Sequence, residues 1–386
     1  MVSFELATPA RILFGSGRLA GAPDEIEALG ARRVLLVTGR SGERSSALRA
    51  ALEARGIATA ALAVAGEPTV ELARHGSAQA VAERRDCVVA MGGGSALDCG
   101  KAVAALAANG GDPLDYLEVV GQGRPLTRPS LPFVAIPTTA GTGSEVTRNA
   151  VLGSSQAQVK ASLRSPFMLA RLAIVDPDLL AGAPPAVLAS SGLDALSQLV
   201  EPYLSVRANP FTDALAREGI ARSARSLRRA CLEGADAPAR EDLALASLCG
   251  GLCLANAGLG AVHGFAAPVG GMLGAPHGAV CAALIVPCLE VNLRALRGRA
   301  PDHPALARFR DLAGWLTGRA DAMPEEGIAW IADLCRALRV PGLAHHGMTA
   351  EAVPALVERA KSASSMRGNP ITLTDAELAE IAARAL

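Results

Sequence analysis

The sequence predicts an α/β domain built on a parallel sheet, followed by an all-helical domain. Three observations carry this. A chain of 386 residues exceeds what one hydrophobic core usually serves. Its first half alternates short β-branched runs with Ala-rich helical patterns, as parallel strands with crossover helices require. After Asp176-Pro177 the β-rich runs give way to long helical periodicity, from Pro184 to Leu386. We place the division at 1–182 and 183–386.

Taken in order, the first half reads as strand Arg33 to Thr38, helix Ser46 to Arg55, strand Thr59 to Val64, helix Thr69 to Arg84, strand Cys87 to Met91 and helix Ser95 to Ala108. Phe133 to Pro137 and Leu172 to Val175, each ending in turn-forming residues, are late strands of the same sheet. The alternating stretch Val2 to Phe14 suits an edge strand that pairs with a partner. The second half reads as helices Ala186 to Leu204, Pro210 to Leu232, Ala239 to Ala257, Val280 to Leu293, Ala305 to Leu316, Met323 to Leu338 and Ala350 to Ser362. No internal repeat or low-complexity linker separates the halves.

Composition narrows the function. Lys plus Arg equals 37 and Asp plus Glu equals 37, so no basic field exists to hold nucleic acid by counterion release. Met1 to Phe14 lacks a basic segment followed by an apolar run, and no uninterrupted apolar stretch approaches membrane-spanning length. The chain is expected to be cytoplasmic. Its eight cysteines (Cys87, Cys99, Cys231, Cys249, Cys253, Cys281, Cys288 and Cys335) form no C-x-x-C pair and read as buried, reduced thiols. Six histidines leave few candidates for imidazole chemistry.

Two loops carry chemistry. Cys87 to Met91 runs into Gly92-Gly93-Gly94-Ser95 and then a helix with Asp98 and Lys101. Glycines between a strand and a helix expose backbone N–H groups at a positive helix terminus, where a pyrophosphate can sit. An ordinary tight turn would look the same. Thr138-Thr139-Ala140-Gly141-Thr142-Gly143-Ser144-Glu145, also after an apolar strand, offers several hydroxyl donors for a phosphate or ribose. Together they mark a Rossmann-like dinucleotide-binding domain.

In the second half, Asp194 and Gln198 are four apart on a predicted helix and share a face. His263 and His277 lie among apolar and glycine-rich residues. A carboxylate, an amide oxygen and two imidazoles are a feasible donor set for one divalent ion. Helical Asp-x-x-x-Gln and isolated structural histidines are the alternative.

Gly92 to Lys101 resembles the GGGSxxDxxK stretch of the iron-containing alcohol dehydrogenases, and the Thr138 loop resembles their TTAGTGSE stretch, in the same order and spacing. The similarity continues through Ser165-Pro166 and Ile174-Val175-Asp176-Pro177 to Asn369-Pro370. It implies the two-domain fold of that family, shared with dehydroquinate synthase, and reversible hydride transfer between a nicotinamide and a small alcohol or aldehyde. Dinucleotide contacts transfer onto Gly93, Gly94, Ser95, Asp98, Thr138, Thr139, Thr142 and Lys160, with Leu179 near the adenosine. Asp194, His263 and His277 align with metal ligands, for Fe2+ or Zn2+, and the histidines serve catalysis by positioning that ion. Such enzymes commonly form dimers through the N-terminal segment.

Two departures stand out. Gln198 occupies the place of a histidine ligand, which should weaken the site or favour a more oxygen-tolerant ion. Ala267 stands four residues after His263, where relatives often carry another histidine, so no general acid is assigned. The first strand ends in Gly39-Arg40-Ser41 with no acid to accept ribose hydroxyls, which favours NADP over NAD. Arg148, Asn149, Asn256 and Met366 are further candidates for the cleft, with surface or capping roles as the alternative. The rival functions are a metal-independent reductase resembling maleylacetate reductases and a dinucleotide-binding protein without turnover.

Overall fold

A computed structural model describes residues 3–154 and 159–386. Their contacts divide into two units. One comprises Ala7–Thr139 and Gly143–Ala181. The other comprises Gly182–Leu386 together with residues 3–6 and Ala140–Thr142.

The first unit contains, in chain order, β1 (Ile12–Phe14), α1 (Ala22–Ala28), β2 (Arg33–Gly39), α2 (Ser46–Ala54), β3 (Ala58–Val64), α3 (Val70–Ala82), β4 (Cys87–Gly92), α4 (Gly94–Asn109), α5 (Pro113–Tyr116), β5 (Phe133–Pro137), β6 (Asn149–Ser154), β7 (Val159–Arg164) and β8 (Leu172–Val175). Six strands form a parallel sheet in the order β1-β8-β5-β4-β2-β3. Side chains alternate across it. Val34, Leu36, Val89 and Ile136 pack with Ile26 and Leu52 on one face, while Leu35, Val37, Val88 and Phe133 pack with Leu97 and Val103 on the other. This double burial explains why these strands read as continuous apolar runs.

Strand order reverses at β2 and β4, which are direct neighbours although β3 separates them in sequence. Open α/β sheets bind ligands outside the carboxyl ends of the strands at such a switch point. Gly39 and Gly92, which end these two strands, meet there; a Cβ on Gly92 would lie 3.4 Å from Gly39 N and 2.6 Å from Ala96 Cβ.

Several features differ from the sequence reading. The expected Val2 to Phe14 strand shrinks to Ile12–Phe14 on the edge of the sheet. Met1 and Val2 lie outside the described residues, and residues 3–6 belong to the helical unit, where Phe4 packs on Phe211. Asn149–Ser154 and Val159–Arg164 form an antiparallel pair that the sequence did not announce.

The second unit is helical: α6 (Pro185–Leu204), α7 (Pro210–Leu232), α8 (Ala237–Ala257), α9 (Ala261–Leu273), α10 (His277–Arg299), α11 (Ala305–Thr317), α12 (Pro324–Ala337), α13 (Val353–Ser362) and α14 (Asp375–Arg384). Helix α10 begins three residues before the expected Val280 and runs past Leu293. Its length and mean hydropathy of 1.7 would suit a membrane span, contrary to the sequence reading, but 72% of that window is buried inside the protein, as in a core helix.

Close helix-to-sheet packing in the first unit rests on glycine. A Cβ at Gly100 would come within 2.8 Å of Ala90 Cβ and 3.1 Å of Phe133 Cε2. Gly100→Ala should therefore destabilise the protein by about 1–3 kcal/mol through overpacking, measurable by chemical denaturation.

Candidate cofactor loops and metal centre

Gly39 to Ser41, Gly93 to Ser95, Thr138 to Thr139 and Leu179 sit at the carboxyl ends of β2, β4, β5 and β8, so parallel topology brings them to one edge of the sheet. Gly93 is the N-cap of α4, and no side chain caps that terminus. Its first-turn N–H groups are an anion-binding arrangement. A Cβ on Gly93 would touch the Thr139 side chain at 3.4 Å, and Thr138 N donates to Gly92 O at 2.9 Å. The two loops identified from sequence are thus physically joined.

The other candidates have different surroundings. Arg40 is exposed, with Nη2 3.4 Å from Ala65 O, and Ser41 Oγ accepts from Glu43 N at 3.4 Å. Leu179 accepts from Arg44 Nη1 through its carbonyl at 3.1 Å. Lys160, on β7, pairs with Glu67 at 3.2 Å. Thr142 groups with the helical unit. Asp98 is engaged internally: it accepts from Ser144 Oγ and from Val151 N.

Lys101, which the sequence marked only as part of a motif, is a buried staple. Its ammonium donates to Ser144 O, Ser144 Oγ, Thr147 Oγ1 and Asn149 O at 2.7 to 3.1 Å. Nearby, burial pushes the Glu145 carboxyl from its ordinary 4.5 up to about 7. Between those pH values the folded state holds a proton that the unfolded state has lost, so stability falls as pH rises through that window. Glu145→Gln should abolish that fall, as thermal melts at several pH values would show.

In the helical unit, Asp194 and Gln198 share one face of α6, His263 lies in the first turn of α9, and His277 opens α10. Helix α9 was not expected, because Gly264, Pro268, Gly270 and Gly271 interrupt its pattern. His263 Nε2 lies 3.3 Å and His277 Nε2 3.7 Å from Asp194 Oδ1. Cys281, one turn beyond His277, brings Sγ to 3.7 Å from both imidazole nitrogens. Ligand atoms of Asp194, His263, His277 and Cys281 all lie within 4.8 Å of one another. Cys281 is buried and free, as expected, but nothing in the sequence signalled its place in this cluster. Gln198 donates from Nε2 to Gly141 O at 3.4 Å.

Glu201 was also missed, although it is seven residues from Asp194 on the same helix. Its Oε2 accepts a hydrogen bond from His263 Nδ1 at 2.5 Å, and its Oε1 accepts from Val262 N at 2.7 Å. With Nδ1 as donor, the Nε2 lone pair of neutral His263 faces the Asp194 carboxylate. Two acceptors face each other, and they need a cation or proton between them.

Asp194 Oδ1 and Gln198 Oε1 are buried without a hydrogen-bond partner. Burial works against charge on His277, but the negative charges of Cys281 and Asp194 override it and hold that imidazole up at about 9. An electron-rich cluster of carboxylate, imidazole and thiol with orphaned oxygens fits a divalent cation. Of the remaining candidates, Met366 packs on Gly264, with Cε 2.6 Å from where a Cβ on that glycine would stand. Asn256 bonds back to Leu252 O at 2.8 Å, Asn149 serves Lys101 through its carbonyl, and Arg148 O accepts from Ser165 N.

Residues 9–177 match the family model of the iron-containing alcohol dehydrogenases, and residues 188–386 match the model of that family's C-terminal region. The chain belongs to the iron-containing alcohol dehydrogenase family. It is similar to alcohol dehydrogenase 4 of Schizosaccharomyces pombe (35% identity over 97% of this chain and 87% of the relative). It is also similar to 1,3-propanediol dehydrogenase of Klebsiella pneumoniae (35% identity, 98% and 97%). Among solved structures, a 1,3-propanediol oxidoreductase superposes with a TM-score of 0.91 at 34% identity, covering 100% of both chains. Sulfoacetaldehyde reductase from Bifidobacterium kashiwanohense, solved with NAD+, gives 0.86 at 28% identity over 100% and 99% of the two chains.

The protein is thus an NAD-dependent, metal-containing alcohol oxidoreductase, which disfavours the metal-free and non-catalytic rivals. Removing the carboxylate behind His263 should loosen the ring. Glu201→Gln is expected to lower divalent-metal affinity about 10–100-fold, as read by competition with a chromogenic chelator.

Proposed function

We propose that this family member reduces short aldehydes to primary alcohols, reversibly, with NADPH preferred over NADH. Asp194, Gln198, His263 and His277 hold one divalent ion, Fe2+ or Zn2+. The observation that carries this reading is the convergence of His263 Nε2 and His277 Nε2 on the orphaned Asp194 Oδ1.

When bound, the metal supplies Lewis acidity toward a carbonyl or alcohol oxygen, and the nicotinamide carries the hydride. Glu201 fixes the His263 tautomer. Asp194, Gln198 and His263 are themselves almost fully buried, which keeps the local dielectric low, where charge stabilisation is strongest. Gly93, Gly94, Ser95, Thr138 and Thr139 hold the dinucleotide phosphates and ribose, with Asp98, Thr142, Lys160 and Leu179 completing the site. The proton leaves or enters through solvent, since position 267 carries Ala.

Relatives named for 1,3-propanediol, choline and sulfoacetaldehyde support small, polar carbonyl or alcohol substrates. The preference for NADP rests on exposed Arg40 and Ser41 beside Gly39, where a Cβ would meet nothing within 4 Å. We further propose a cytoplasmic homodimer, which the outer edge of β1 supports.

Activity with NADPH and short aldehydes should vanish on metal stripping and return with Fe2+ or Zn2+; activity indifferent to metal would defeat the ligand assignment. Arg40→Ala should raise KM for NADPH about tenfold, equivalent to about 1.4 kcal/mol, and leave KM for NADH nearly unchanged. Equal changes for both cofactors would sink the preference.

A further inference from the structure

We propose that Cys281 is itself a metal ligand, whose thiolate joins Asp194, His263 and His277 and makes this a sulfur-containing, zinc-selecting centre. The proposal rests on the metal-centre reading above and deepens it.

The distances are those of a coordination shell. Zinc bonds of about 2.3 Å to sulfur and about 2.05 Å to nitrogen or oxygen give tetrahedral edges of about 3.6 Å for S···N and about 3.4 Å for N···O. The corresponding separations here are 3.7 and 3.7 Å from Cys281 Sγ to the two imidazole nitrogens, and 3.3 and 3.7 Å from those nitrogens to Asp194 Oδ1. Four atoms from three helices are thus spaced as ligands of one ion, all within 4.8 Å of one another, and a substrate oxygen would enter as a further ligand.

Ordinary thiol hydrogen bonding does not account for this arrangement. One S–H has a single proton and sits equally far from two nitrogens. Glu201 already accepts the hydrogen bond of His263 Nδ1–H, so Nε2 of the neutral ring is an acceptor, and Asp194 Oδ1, 2% exposed as a side chain, has no donor. A cation at the centre satisfies all four at once.

Helix geometry explains the position. Cys281 follows His277 by four residues on α10, so both side chains lie on one face. Gly278, between them, lets α10 start against α6; a Cβ there would be 2.5 Å from Ser190 O. The amide at Gln198 is a hard and weak donor, and the thiolate provides the missing strong donor from a different helix. A thiolate among imidazoles favours zinc over iron(II), which softness and the general affinity order both support.

The test uses the full-length protein reconstituted with cobalt(II). Ligand-field bands in the visible report metal binding, and a thiolate-to-cobalt charge-transfer band in the near ultraviolet reports sulfur ligation. We expect both in the unaltered protein. Cys281→Ser should keep the visible bands, lose the charge-transfer band and bind zinc at least about tenfold more weakly, whereas Cys288→Ala should retain all three properties.

X-ray absorption of the zinc form should show one sulfur at about 2.3 Å, a readout that does not depend on any variant folding. Visible bands without charge transfer would overturn the role of Cys281 and leave the metal centre standing. A charge-transfer band that survives in Cys281→Ser would assign the sulfur elsewhere and likewise overturn it. Failure to bind cobalt or zinc at all would overturn the metal centre, and this proposal with it.

Discussion

The helical unit is organised around the bond between Glu201 and His263. By accepting a hydrogen bond from Nδ1–H, the carboxylate fixes the ring's tautomer and plane and turns the Nε2 lone pair toward Asp194. The same carboxylate receives Val262 N, and so ties the start of α9 to the middle of α6. That start is anchored again by Asn369, which accepts from Ala261 N and pairs amide to amide with Asn292 on α10. A residue near the C-terminus thereby steadies the first turn that carries His263, which gives the Asn369-Pro370 stretch a physical task. Side-chain networks of this kind are valuable only when every member is satisfied, and here the members left over point at one place.

Helices can meet this closely because the facing residues are small. Gly278 allows α10 to touch α6 beside Asp194. Gly260 admits Glu201 and Asn369, each 3.0 Å from where a Cβ would stand, and Gly264 admits Met366. A composition with 3% aromatics and 40 glycines is thus the means by which short side chains reach a common point. The α/β unit uses the same device for another purpose. Gly92 and Gly93 clear the ends of β4 and the start of α4, while Lys101 and Asp98 hold the Ser144 turn to α4 from within.

Much of this was legible in the sequence. The sheet strands β2 to β5 and β8 are buried on both faces, so their apolar runs stand out, and the glycine and threonine loops follow them directly. Asp194, Gln198, His263 and His277 were singled out from their residue types and from resemblance to relatives, and the fold brings Asp194 and the two histidines together. Helix α9 was hidden because glycine and proline, which usually break helices, are tolerated there by tertiary packing. The hairpin β6–β7 was hidden because its residues mix polar and small side chains without clear alternation. Glu201 looked like one more charge on a long helix, and only the fold reveals its partner 62 residues away. Cys281 had no C-x-x-C neighbour, since its companions are imidazoles and a carboxylate from other helices.

Exchange of a neutral imidazole for a neutral amide at position 198 weakens one donor and leaves the charge of the centre unchanged. With one carboxylate and neutral ligands, a divalent ion leaves a net positive charge in surroundings where Asp194, Gln198 and His263 are almost fully buried. Burying such a charge is costly. Addition of the Cys281 thiolate brings the centre to neutrality and lowers that cost, so the ion is retained more firmly. The same electron donation makes the metal a weaker Lewis acid, and it polarises a carbonyl less. Chemistry in such a site must lean further on the placement of the nicotinamide relative to substrate, which is the part of catalysis that orientation alone can supply. Retention of metal and electrophilic strength are therefore opposed in this chain, and the sulfur on α10 sets the balance between them.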